Sequence, residues 1–146
     1  MDHWHYLTWL ARQAMEGLTW AWPVTMAILL LMAGSVVSGR GQLRHLLRLG
    51  TLWHLVPLVV PVIVLVLGTW FACEACSPSS LGQGRRHYWA MWAANGLLIG
   101  QVVAAGLLTW FAAPLRLLAA SFQLLLAWCS LWASFLAGMS MSGDWL

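Results

Sequence analysis

The chain has 146 residues, 62% of them hydrophobic and 8% charged, with a mean hydropathy of +0.79. Its seven basic residues are all arginine, and four acids leave a formal charge of +3. So few charges exclude a nucleic-acid-binding surface, and the absence of lysine excludes a retinal Schiff base.

Four stretches, 17–39, 49–73, 87–115 and 117–143, contain no Asp, Glu, Lys or Arg. Each is longer than the roughly 20 residues that cross about 30 Å of hydrocarbon at 1.5 Å per residue. The expected fold is therefore an all-α integral membrane protein, a single domain over 1–146 built as an antiparallel bundle of four transmembrane helices. The spans fall at about 18–38, 51–72, 88–112 and 116–138, which leaves no room for a soluble catalytic domain.

In chain order, residues 2–17 read as an interfacial amphipathic helix. Asp2 is its cap, and Trp4, Leu7, Ala11, Met15 and Leu18 recur at three- and four-residue spacing. Span one follows. Met32 to Gly39 ends in small residues that a signal peptidase accepts, but the Trp-rich lead-in is unlike a charged n-region, so the span is expected to be retained. The first loop carries Arg40, Arg44 and Arg48 on one face of a short basic helix, suited to anionic lipid headgroups or an acidic docking partner.

Span two holds Pro57 and Pro61, which predict a kink, and His54, a candidate haem or chlorophyll ligand. A second axial histidine on the same side is offered only by His45, outside a span, so a haem or pigment would be shared with a partner subunit. Span three carries Gly96, Gly100 and Ala104 at intervals of four, and span four a matching row of Ser130, Ser134 and Gly138. The turn at Pro114 makes these spans an antiparallel hairpin, so the rows either face each other or offer a docking surface. Asn95, Gln101 and Gln123 read as hydrogen-bonding ties between helices. No acid lies at membrane depth, so this chain contains no carboxylate pathway for protons or sodium.

Eight of twelve tryptophans fall at span ends, where an indole keeps its ring in the apolar layer and its N–H in water. Trp128 and Trp132 are exceptions inside span four. Counting arginine in the loops places loops one and three in the cytoplasm and both termini outside. The absence of Lys, with richness in Ala, Arg, Gly and Trp, fits a GC-rich bacterial genome and hence the inner membrane.

One compact chemical motif is present, Cys73-Glu74-Ala75-Cys76 at the outer end of span two. Ser77 follows it where covalent haem c attachment requires His, leaving a structural disulfide, a thiol-exchange centre or a metal site. A Cys-x-x-Cys beside a four-helix membrane bundle resembles the DsbB and vitamin K epoxide reductase families. That resemblance implies electron transfer between the pair and quinone. Those families use a second cysteine pair, for which this chain offers only Cys129. For metal, His3, His5, Cys73, Cys76, His87, Met139 and Met141 all fall on the outer side, with ligand types suited to copper.

The function expected is a small accessory or assembly subunit of a larger respiratory, photosynthetic or transport complex. It would contact lipids and other integral membrane subunits and carry no catalysis of its own. The alternatives are an extracytoplasmic copper-handling or thiol-redox protein, and a small homo-oligomeric channel or exporter.

Overall fold

The computed structural model describes residues 3–38, 55–72, 87–112 and 116–142. Among these the secondary structure is entirely helical. The elements are α1 (His3–Trp20), α2 (Trp22–Ser38), α3 (Val59–Trp70), α4 (Tyr88–Phe111) and α5 (Arg116–Ser142). The basic loop with Arg40, Arg44 and Arg48, the residues His45 and His54, the Cys73–Cys76 motif and Pro114 lie outside the described residues.

The interfacial helix, expected to end at residue 17, continues to Trp20, and the chain then bends by 80° at Ala21. Pro23 is the physical reason. It has no N–H to donate to Thr19, and its ring crowds that carbonyl, so α1 cannot run on into α2. At the second position of α2 the same proline is tolerated, because an N–H there would lack a helical partner anyway. The Thr25 hydroxyl covers the break, lying 3.1 Å from the Leu18 carbonyl and 3.2 Å from that of Ala21. At the two prolines of the next segment, residues 55–58 form a 3-10 turn and α geometry begins at Val59, with Pro61 in the first helical turn.

Helices α4 and α5 are long and apolar enough to cross a membrane, and the bent α1–α2 pair is a third if it counts as one span. Alone, α2 has 17 residues and α3 has 12. These lengths give about 26 Å and about 18 Å of helix, against hydrocarbon of about 30 Å.

The bundle is organised around α5, which packs against each of the other four helices. Its inward face is small, so neighbours approach closely. A Cβ built on Gly68 of α3 would stand 2.7 Å from Ala137 Cβ and 2.8 Å from Ala137 Cα. Val64, Ala90, Ala94, Ala133, Ala137 and Met141 form the main core, and Leu10, Ala14 and Leu136 form a second cluster under α1.

Helix α1 turns a different stripe toward protein from the one the apolar spacing suggests. Trp4 and Met15 are exposed, whereas Leu10 and Ala14 are buried and Tyr6 reaches α5. Gly17 extends the buried stripe, since the Trp132 ring occupies the place of its missing side chain. Trp128 and Trp132, the tryptophans away from the span ends, are thereby explained. The Trp128 indole donates to Thr25 Oγ1 at 3.2 Å, and its ring meets that of Trp132 edge to face.

Candidate functional site

Two regions carry polar or aromatic groups beyond what packing alone requires. The first is where α1, α3 and the start of α4 converge. Trp70 and Phe71, consecutive at the end of α3, each receive a histidine. His3 stacks on Trp70 with rings 5.4 Å apart and 6° from parallel, and His87 meets Phe71 at 5.5 Å. Trp89 meets Phe71 edge to face at 4.5 Å.

Below this cluster, Ser140 of α5 donates to the Gly68 carbonyl at 2.8 Å and lies 2.7 Å from the Tyr6 hydroxyl. Ser140 has a single proton, committed to Gly68, so Tyr6 is the donor in the second bond. One hydroxyl thus ties α1, α3 and α5 together. Burial pushes the Tyr6 phenol above its ordinary value.

The residues expected to hold metal are distributed unevenly over this end. His3 and His87 are brought to adjacent aromatic residues, two and three positions before Cys73 in sequence. His5 is exposed, Met139 is half-buried and Met141 is fully buried in the core. A thioether at that depth is packed against apolar neighbours and is not presented to an outer-surface ion. Among the described residues no three His, Cys, Asp or Glu converge on one point. Cys129 is a free, half-buried thiol within α5.

The second region is a groove of about 550 Å³ between α3 and α4. One wall is Val56, Pro57 and Val60, and the other is Ala93, Gly96, Leu97, Gly100 and Ala104. Four-residue spacing puts Gly96, Gly100 and Ala104 along one line of α4, and side chains built on either glycine would meet nothing within 4 Å. The row therefore opens into the groove. The face that α4 turns to the core is instead Ala90, Ala94 and Gln101. On α5 the expected partner row is divided: Ser130 is buried, while Ser134 and Gly138 are half-buried.

Gln101 lines the bottom of the groove, 2% exposed. Neither its Nε2 nor its Oε1 has a hydrogen-bond partner among the described residues, and the same holds for the hydroxyls of Ser130 and Ser134 and the indole N–H of Trp132. A buried hydroxyl in a helix can turn to a carbonyl one turn back. A glutamine carboxamide presents two N–H donors and a carbonyl acceptor and is harder to satisfy locally. Leaving a buried polar group unpaired costs about 1–3 kcal/mol.

Comparison with known proteins finds no matching family model, no similar curated protein and no similar solved structure.

Proposed function

We propose that this chain is a small accessory or assembly subunit of a larger membrane complex, acting through helix packing and lipid contact and without catalysis of its own. The observation that carries the reading is the state of α4. Only 11% of its membrane-crossing stretch is buried, against 39% for α5. Its flank bears a glycine-lined groove, with Gln101 at its inner edge lacking a hydrogen-bond partner among the described residues. Small residues that leave a helix backbone open are the means by which membrane helices approach one another closely, because lipid tails supply no hydrophobic drive for association.

In this reading the chain crosses the bacterial inner membrane four times, with α2 and α3 as the cores of the first two spans and both termini outside. Arg40, Arg44 and Arg48 contact anionic headgroups on the cytoplasmic side. The parent complex is respiratory, photosynthetic or transport, and a haem or pigment ligated by His54 belongs to an interface with another subunit.

Native membranes solubilised in a mild detergent and resolved by size test this. The chain is expected in a particle well above twice its own 16.2 kDa of protein. Migration at the mass of one or two copies overturns the proposal.

A second reading is supported by His3 and His87 meeting on Trp70 and Phe71, just before the Cys73–Cys76 pair. It makes the outer end a copper or thiol-redox centre. Copper bound by the purified protein, and lost when His3, His5, Cys73 and Cys76 are replaced, supports it. Uptake equal to that of the replaced variant removes it.

A further inference from the structure

We infer that α1 and α2 are the two halves of one membrane crossing, broken at Ala21 near the middle of the hydrocarbon, so that α1 descends into the layer and does not lie on its surface. The path of α1 is the same whether the chain works alone or within a larger complex.

Contacts with α5 trace that path. Tyr6 bonds to Ser140, Leu10 and Ala14 pack with Leu136, and the Trp132 ring fills the place beside Gly17. Farther on, Trp128 donates to Thr25, and Ser35 lies 3.4 Å from Ser121. As the chain advances from Tyr6 to Ser35, its partner on α5 retreats without reversal from Ser140 to Ser121. At 1.5 Å per residue that is about 28 Å along α5, which matches hydrocarbon of about 30 Å. A helix lying in the membrane plane would meet an upright α5 at a single depth. Between Tyr6 and Gly17 the contact instead moves from Ser140 to Trp132, about 12 Å down α5 for about 16 Å of α1. A re-entrant loop would return to the side it entered from, whereas α2 continues toward the far end of α5.

The crossing begins beyond Tyr6, at the level where His3 stacks on Trp70. Its break falls between the contacts at Trp132 and Trp128, about 20 Å from either end of the 27-residue α5. There Pro23 has no N–H for Thr19, and Val24 donates to Ala21 at 3.1 Å, one residue short of a helical bond to Trp20. Irregular backbone survives in hydrocarbon only where protein covers it. Thr25 supplies that cover, its hydroxyl facing the Leu18 and Ala21 carbonyls and accepting the Trp128 indole N–H. Arg12 and Glu16 are the charged residues on the way down. They are bonded at 3.0 Å, and Gln13 gives the carboxylate a second donor at 3.1 Å. On the slope above, Arg12 is about 6–7 Å deeper than Tyr6, a depth from which a long arginine stem carries its guanidinium back toward the headgroups.

The test is a depth profile by thiol labelling. Full-length protein with Cys73, Cys76 and Cys129 changed to serine receives one cysteine at a time, at the exposed positions Trp4, Met15, Trp20 and Val37. Each variant is purified and rebuilt alone into phosphatidylcholine vesicles, which are opened by freeze–thaw so that a charged maleimide reaches both faces. Only a thiolate reacts, and a thiol in hydrocarbon neither ionises nor meets the reagent. Labelling is expected to fall from Trp4→Cys through Met15→Cys to Trp20→Cys by at least about tenfold, and to rise again at Val37→Cys. Full labelling of all four in denaturant confirms that each thiol is intact, and four separate positions expose any single variant that misfolds. Trp20→Cys reacting as fast as Trp4→Cys, with Val37→Cys on the same level, overturns the broken span and returns α1 to the membrane surface. Because no other subunit is present in the vesicles, either result leaves the accessory-subunit reading to its own test.

Discussion

Tyr6 and Ser140, 134 positions apart, are joined by a hydrogen bond of 2.7 Å in which Tyr6 is the donor, because Ser140 gives its proton to the Gly68 carbonyl. The pair fastens α1 to the long helix at the centre of the bundle. The two partners are unequal. Tyr6→Phe removes one bond and leaves Ser140 satisfied, for an expected loss of about 0.5–1.5 kcal/mol. Ser140→Ala removes both bonds and strands the Tyr6 hydroxyl, so it should cost more, about 1–3 kcal/mol. Thermal unfolding in one detergent ranks the variants, and equal losses would show that Ser140 is not shared.

Alkaline pH reports on the same contact. Burial raises the Tyr6 pKa, so the native state keeps a proton that the unfolded state releases above pH 10. Its contribution is complete below pH 10 and is lost as pH rises through the native value. The melting temperature of the wild type should therefore fall more steeply from pH 10 upward than that of Tyr6→Phe. Parallel curves would contradict the assignment.

Glycines divide by what surrounds them. Gly68→Ala drives a methyl into the Ala137 backbone of α5, where neither helix can yield, and is expected to cost about 1–3 kcal/mol or more. Gly17→Ala meets only the Trp132 ring, which can turn aside, so its cost should be smaller. Gly34→Ala and Gly106→Ala meet nothing within 4 Å and should stabilise their helices by up to about 1 kcal/mol through propensity. Melting temperatures of the four variants in one detergent check the order, and a harmless Gly68→Ala would disprove the close approach.

Gln101→Leu reads the cost of a buried carboxamide that has no hydrogen-bond partner among the described residues. In dilute detergent, where the chain is single, removing an unpaired buried amide should raise stability by about 1–3 kcal/mol. A destabilised variant would mean that Gln101 is already paired inside the chain.

Much of this architecture is legible in the sequence because hydrocarbon imposes a length and a composition that any window reveals. The helices α4 and α5, the outward tryptophans and the glycine row follow from local pattern. The break at Ala21 was also signalled, by Pro23, but an uninterrupted apolar run concealed it, since hydropathy carries no record of a missing N–H. The stripe of Tyr6, Leu10, Ala14 and Gly17 is harder to read. In α1 the apolar stripe is divided, with Trp4 and Met15 exposed and Leu7, Ala11 and Leu18 half-buried, so the spacing does not mark the face turned to protein. Nothing in either local segment marks Ser140 as the partner of Tyr6, and the outward opening of the Gly96–Gly100 row depends on where α3 lies. Residue type and side suggest copper ligands but carry no sign that Met141 is packed in the core.

The most direct measurement is affinity purification of the full chain from native membranes in a mild detergent, with every co-purifying protein identified and quantified by mass spectrometry. The absorption spectrum is recorded on the same sample. The account predicts larger integral membrane subunits in fixed ratio to this chain, retained by the wild type and depleted when Gly100 is changed to leucine to fill the groove. Recovery of the chain with no other subunit would contradict it and direct attention to His3, His87 and the cysteine pair.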